Sequence, residues 1–151
     1  MKTRTQLYFE GLTRLRVFCQ INGLPEPTVT AVTADRWRVS ACAYYRPLPA
    51  PIITICVVKC APCGTAGRAW SWPGYVVDRT PYGVVQHELG HHVDCVIGGA
   101  LREGSWQGGW SKQLRKRTGE LALTGYAPDD AEWFAEIFRL SNGQMELRNG
   151  G

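Results

Sequence analysis

A chain of 151 residues with 44% hydrophobic and 20% charged residues is long enough for one domain with its own core and has the balance of a globular protein. Six Trp and six Tyr exclude a disordered chain, and the longest apolar run, APIITICVV, is far short of the roughly 20 residues that cross a bilayer. A net charge of +4 does not by itself imply a nucleic-acid partner.

The N-terminal MKTRTQLYFEGLTRLRVF carries charges throughout and lacks the apolar core of an export signal. The expected location is therefore the cytoplasm of the producing or host cell, with association with a virion as the alternative. Residues 3 to 22 form an amphipathic helix by spacing, with Leu7, Tyr8, Leu12, Leu15, Phe18 and Cys19 recurring on one face. Asn22, Gly23 and Pro25 end it. TVTAVT (28 to 33) and RWRVSACAYY (36 to 45) are rich in β-branched or aromatic residues and predict antiparallel strands. Pro47, Pro49 and Pro51 make a stiff connection to a third strand, PIITICVVKC (51 to 60), apolar on both faces. A Gly- and Pro-containing loop covers 61 to 80.

From Pro81 the period becomes helical. Thr80 is the expected N-cap, Pro81 the first helical residue, and Gly98-Gly99 the stop. A short helix is expected over 109 to 118, and a last one begins after Asp129-Asp130 and carries DDAEWFAEIFRL. Helix, strands, then helices predict an α+β fold in a single domain spanning 1–151.

All three histidines of the chain, His87, His91 and His92, fall within QHELGHHVDC. HELGH fits H-E-x-x-H. Residues four apart on a helix share a face, so His87 and His91 can hold one cation. Glu88 stands one step round, placed to act on a water as general base without being a ligand. Zinc lowers the pKa of bound water toward about 7. His92 points away and is expected either to pack or to lie on the surface. A catalytic zinc needs a third protein ligand and an open position. The longer pattern H-E-x-x-H-x-x-G-x-x-H is excluded, because Asp94 and Ile97 occupy its Gly and last His positions. The third ligand is therefore a carboxylate or a Cys. AEWFAEIF supplies Glu132 and Glu136 on one face of an otherwise apolar helix, where carboxylates are costly unless something positive meets them. Glu132 is the expected ligand and Glu136 the group that hydrogen-bonds a ligand His. Asp129 and Asp130 are rivals that fit a cap and first turn better. Asp94, seven residues after His87, is placed either to hydrogen-bond a ligand His or to sit partly in solvent.

With HELGHHVD followed by AEWFAEIF, the chain resembles the zincin metallopeptidases whose third ligand is Glu. Within them it is most similar to the catalytic domain of anthrax lethal factor and its small bacterial and phage relatives. The resemblance covers residues 80 to 140 by motif. It implies His87, His91 and Glu132 as zinc ligands, Glu136 as their support, and Tyr126 in GYAPDDAE as a stabiliser of the oxyanion. It also implies a small, mostly antiparallel twisted sheet beside the active-site helix, whose edge binds an extended peptide; PIITICVVKC is the strand expected near the cleft. The implied activity is peptide-bond hydrolysis on a peptide or protein substrate. Two other readings stand beside it: a protease dedicated to one partner protein, and a non-catalytic virion or scaffold component that keeps the fold.

The six cysteines are Cys19, Cys42, Cys56, Cys60, Cys63 and Cys95. Cys60 and Cys63 have the spacing of a zinc knuckle or redox pair, and Cys56 and Cys42 are further candidates for a second, structural zinc. Buried free thiols, a structural zinc and a disulfide all remain open for this group; Cys19 and Cys95 fit a core. Lys112, Arg115, Lys116 and Arg117 fit a solvated helix face, or a guide for an acidic substrate, and no nucleic-acid motif accompanies them.

Overall fold

The computed structural model describes residues 1–62, 78–97 and 130–140. Helix α1 spans Arg4–Asn22. Thr3 caps it: its hydroxyl accepts from the Gln6 N–H at 3.1 Å, and the Gln6 side chain accepts from the Thr3 N–H at 2.8 Å. This reciprocal pair satisfies two otherwise orphaned donors. Gly23 closes the helix at φ +65°, in the left-handed region that glycine enters without steric cost. The buried face carries Leu12, Leu15, Phe18 and Cys19, as the spacing predicts.

Three short strands follow, β1 (Thr28–Ala31), β2 (Ala43–Arg46) and β3 (Ile52–Ile55). Their order is β1-β3-β2. β2 and β3 are an antiparallel pair, joined by the short proline-rich connection that such a pair permits. β3 then enters between β2 and β1 and runs parallel to β1. The sheet is therefore mixed, and the expectation of a mostly antiparallel one is corrected. Its strands are also shorter than expected. Over 36 to 45 the chain first makes a 3-10 turn, Ala34–Arg36. Trp37 is then drawn into the protein and satisfied locally, its indole N–H donating to the Ala41 carbonyl at 2.9 Å and its ring stacking on Tyr44. The strand proper is 43–46, extended at Cys42 by one bond from the Cys56 N–H. Over 51 to 60 a second 3-10 turn, Val57–Lys59, replaces the end of the strand.

Helix α2, Pro81–Ile97, carries the histidines. Thr80 is its N-cap, its hydroxyl accepting from the Gly83 N–H at 3.3 Å. Asp78 fixes that cap by accepting from both the Thr80 N–H and hydroxyl. Helix α3 is Asp130–Leu140. α2 lies at the centre, against α1, α3, β2 and β3. Its Val85, Leu89 and Val93 join Leu15, Phe18, Ile53, Ile55, Phe134 and Phe138 in one core. The Phe18 and Phe138 rings meet edge to face at 5.0 Å and bring α1 to α3. Helices with a small sheet make the expected α+β fold. No helix among the described residues is long and apolar enough to cross a membrane. The expected helix over 109 to 118, and the basic residues on it, lie outside the described residues, as do Tyr126, Cys63 and Asp129.

Candidate metal centre

α2 places His87 and His91 one turn apart, with ring centroids 4.9 Å from each other. α3 brings Glu132 to both. Glu132 Oε1 is 2.7 Å from His91 Nε2, and Oε2 is 3.3 Å from His87 Nε2. One donor atom from each of His87, His91 and Glu132 lies within 4.8 Å of the others, a group able to hold a metal ion. Among the described residues no other such group of His, Cys, Asp and Glu exists. Cys42, Cys56 and Cys60 therefore do not assemble a structural metal site within the described residues. They are free thiols, and Cys19 and Cys95 are buried free thiols in the core, as expected.

The close approach of the two helices is set by Gly90. A Cβ there would stand 2.8 Å from the Ala135 Cα and 3.1 Å from its carbonyl oxygen. No side chain larger than hydrogen lets α3 lie this near α2, and Glu132 and Glu136 reach the histidines only from that distance.

Glu136 is fully buried and lies 2.6 Å from His87 Nδ1. Arg139, one turn on, donates from Nε and Nη2 to both Glu136 oxygens at 2.8 to 3.1 Å. An acceptor against Nδ1 fixes that nitrogen as the N–H and turns Nε2 toward Glu132 and His91. Arg139 is the member that sequence reading passed over. Its signal was available: an Arg three residues after a carboxylate that the apolar face of FAEIFRL had to bury.

The electrostatics agree with the geometry. Burial opposes a charge on His87, but the Glu132 and Glu136 carboxylates override it and raise the imidazole to about 10 in the polypeptide alone. Burial likewise opposes ionisation of Glu132 and Glu136. The hydrogen bonds from His87 and His91 hold Glu132 well below the usual carboxylate range, and those from His87 and Arg139 do the same for Glu136. Glu88 moves the other way, pushed up by burial and only partly drawn back by His91 and His87. Three neighbouring carboxyls thus divide, Glu132 and Glu136 shifted downward and Glu88 upward.

A pocket of about 470 Å³ opens over the centre, lined by His87, Glu88, Glu132 and Glu136 on one side and by Ser40 to Ala43 on the other. The strand bordering it is thus β2, entered from Ser40 to Cys42. The expectation that PIITICVVKC borders the cleft is corrected: β3 is paired on both sides and cannot offer an edge.

His92 packs rather than lying on the surface. The Pro25 carbonyl can only accept, so Nε2 donates to it at 2.7 Å, and Nδ1 accepts from the Tyr45 hydroxyl at 2.8 Å. Asp94 is fully buried, which overturns the partly solvated alternative. Two imidazoles and a carboxylate thus converge on one point, with Nδ1 of His87 already engaged, as a group able to hold a metal ion.

No family model, curated protein or solved structure matches the chain.

Proposed function

We propose that this chain is a zinc-dependent metallopeptidase of the type with Glu as third ligand. The observation that carries the reading is the convergence of His87, His91 and Glu132 on one point, with Glu88 in the wall of the same pocket. A site built only to brace the fold would need the ligands and not the base. Bound zinc supplies Lewis acidity and lowers the pKa of water, making hydroxide available near neutral pH.

The chain's own groups supply the rest. His87, His91 and Glu132 hold the ion, and Glu136, anchored by Arg139, keeps His87 Nε2 turned toward it. Glu88 takes the proton from the attacking water and returns it to the leaving amine. The side of β2 that no strand among the described residues pairs offers main-chain donors and acceptors to an extended peptide entering the pocket. Tyr126 is assigned by resemblance to the oxyanion.

The test has two readouts. Zinc content per chain is measured on protein purified without added metal, and cleavage is followed by mass spectrometry on a mixed peptide library. One zinc per chain is expected, lost in His91→Ala and Glu132→Ala. Glu88→Gln is expected to keep the zinc and lose cleavage. Failure to take up zinc on reconstitution would sink the metal reading. Zinc uptake without cleavage of any peptide or protein presented would favour the non-catalytic reading.

A further inference from the structure

Cys42 stands on the wall of the pocket, and a local device of the chain brings the segment of Cys60 back to it. Cys42 precedes β2, and its carbonyl accepts from the Cys56 N–H at 3.0 Å, extending the β2–β3 ladder by one pair. The chain then turns in the 3-10 segment Val57–Lys59, closed by Lys59 N–H to Cys56 and Cys60 N–H to Val57. That turn carries Cys60 back over Cys42. Cys42 Sγ lies 3.4 Å from the Lys59 carbonyl oxygen, and Cys60 Sγ lies 3.5 Å from that of Cys56. Both sulfurs are thus held by the same turn, Cys42 Sγ against the carbonyl that leads directly into Cys60. Their exposures differ: Cys42 is partly exposed and lines the pocket, whereas Cys60 is buried behind it.

We propose that Cys42 and Cys60 are a thiol modification site on the pocket wall, oxidised by small-molecule disulfides to an intramolecular disulfide, with Cys42 as the attacking sulfur and Cys60 as the resolving one. The Cys42 thiolate attacks one sulfur of the small disulfide. A mixed disulfide forms and one small thiolate leaves, which takes up the proton that Cys42 gave up. The Cys60 sulfur, deprotonated as it reacts, then attacks Cys42 Sγ. The Cys42–Cys60 bond forms, the mixed bond breaks, and the second small thiol leaves with the Cys60 proton. The protein loses two electrons and two protons, and the small disulfide gains them.

The polarity of the pair follows from its surroundings. The neighbouring Cys60 thiol, aided by the Arg79 guanidinium, holds the Cys42 thiol below its ordinary range against burial and the Glu88 charge. Cys42 in turn, together with burial, pushes Cys60 well above it. Thiolate character and access therefore fall on the same sulfur, as an attacking cysteine requires. The site stands whether or not the pocket hydrolyses peptides, since the oxidant meets sulfur and not the metal ligands.

The test uses the full reduced chain and oxidised glutathione as the probe. After incubation, remaining thiols are alkylated and the unreduced digest is mapped by mass spectrometry. The expected map links the Cys42 peptide to the Cys60 peptide and leaves Cys19, Cys56, Cys63 and Cys95 alkylated. Cys60→Ser is expected to stop at a stable glutathione adduct on Cys42, and Cys42→Ser to leave Cys60 alkylated and unlinked. The wild-type map decides the matter alone should either variant fail to fold. A bond from Cys60 to Cys63, or recovery of all six thiols in alkylated form, overturns the proposal.

Discussion

Glu136 on α3 meets Nδ1 of His87 on α2 at 2.6 Å from a position that solvent does not reach. An ionised carboxylate can only accept, so the contact selects the tautomer of His87 and aims its Nε2. Glu136→Gln keeps the volume and removes the charge. Its zinc affinity is expected to fall by roughly 10- to 100-fold, beyond the stability lost by leaving Arg139 without its carboxylate. Competition against a chromophoric chelator measures this, and an unchanged affinity would remove the orienting role.

Arg139 is buried with Glu136 and bonded to it through both oxygens. Removing one member of a buried pair costs up to ~3–5 kcal/mol, a cost that the contact Glu136 keeps with His87 reduces here. Arg139→Met is expected to lose stability on that scale. Adding Glu136→Gln to it is expected to restore part of the loss, because the stranded charge is then gone. A double-mutant cycle by urea unfolding measures both steps; additive losses would show that the pair does not act as a unit.

Much of the site is legible in the sequence because its information is local. His87, Glu88 and His91 need only the helix period, and that helix announces itself by Thr80, Pro81 and the apolar spacing of Val85, Leu89 and Val93. Glu132 and Glu136 were legible for a different reason: two carboxylates on the rim of an apolar helix demand a positive partner. The sheet was harder to read. Whether β1 gains a parallel or an antiparallel neighbour depends on whether β3 or β2 of the hairpin docks against it, and no residue of TVTAVT records that. The strand ends failed where a tertiary choice beat propensity. Trp37 has strand preference, but its indole is better satisfied by the Ala41 carbonyl in a bend. The sequence groups Cys42 with Cys60 only as candidate ligands of one metal; the 3-10 turn that brings their segments together lies inside what reads as a strand.

Gly90 fixes the separation of α2 and α3. In Gly90→Ala the added methyl must push Ala135 away, and overpacking of this kind costs ~1–3 kcal/mol. The displacement falls on the helix that carries Glu132, so zinc affinity is expected to drop along with stability. Leu89→Val, a core change on the neighbouring residue, is expected to lower stability without a comparable loss of zinc. Urea midpoints and zinc competition on both variants separate the outcomes. Equal losses of affinity at equal losses of stability would deny Gly90 any special part in placing Glu132.

The charged state of His87 gives the ion-free chain a distinctive response to pH. Its imidazole moves from 6.5 to about 10 on folding, because Glu132 and Glu136 outweigh its burial. A folded value raised above the unfolded one gives stability that is complete below about 6.5 and lost as pH climbs to about 10. The two carboxyls move downward from 4.5, so their contribution is complete above about 4.5 and lost in acid. Both describe the same contacts from opposite sides and are not added twice. In the presence of a chelator, the part of the stability that depends on His87 is therefore expected to be greatest between about pH 4.5 and 6.5 and to decline toward pH 10. His87→Ala is expected to flatten that decline. Saturating zinc is expected to oppose it, since a metal ion takes the place of the proton and binds better as the ligands deprotonate. Urea midpoints across this range, for the wild type and the variant with and without zinc, provide the measurement. A wild-type curve parallel to that of His87→Ala would show that the imidazole carries no charge between the two carboxylates.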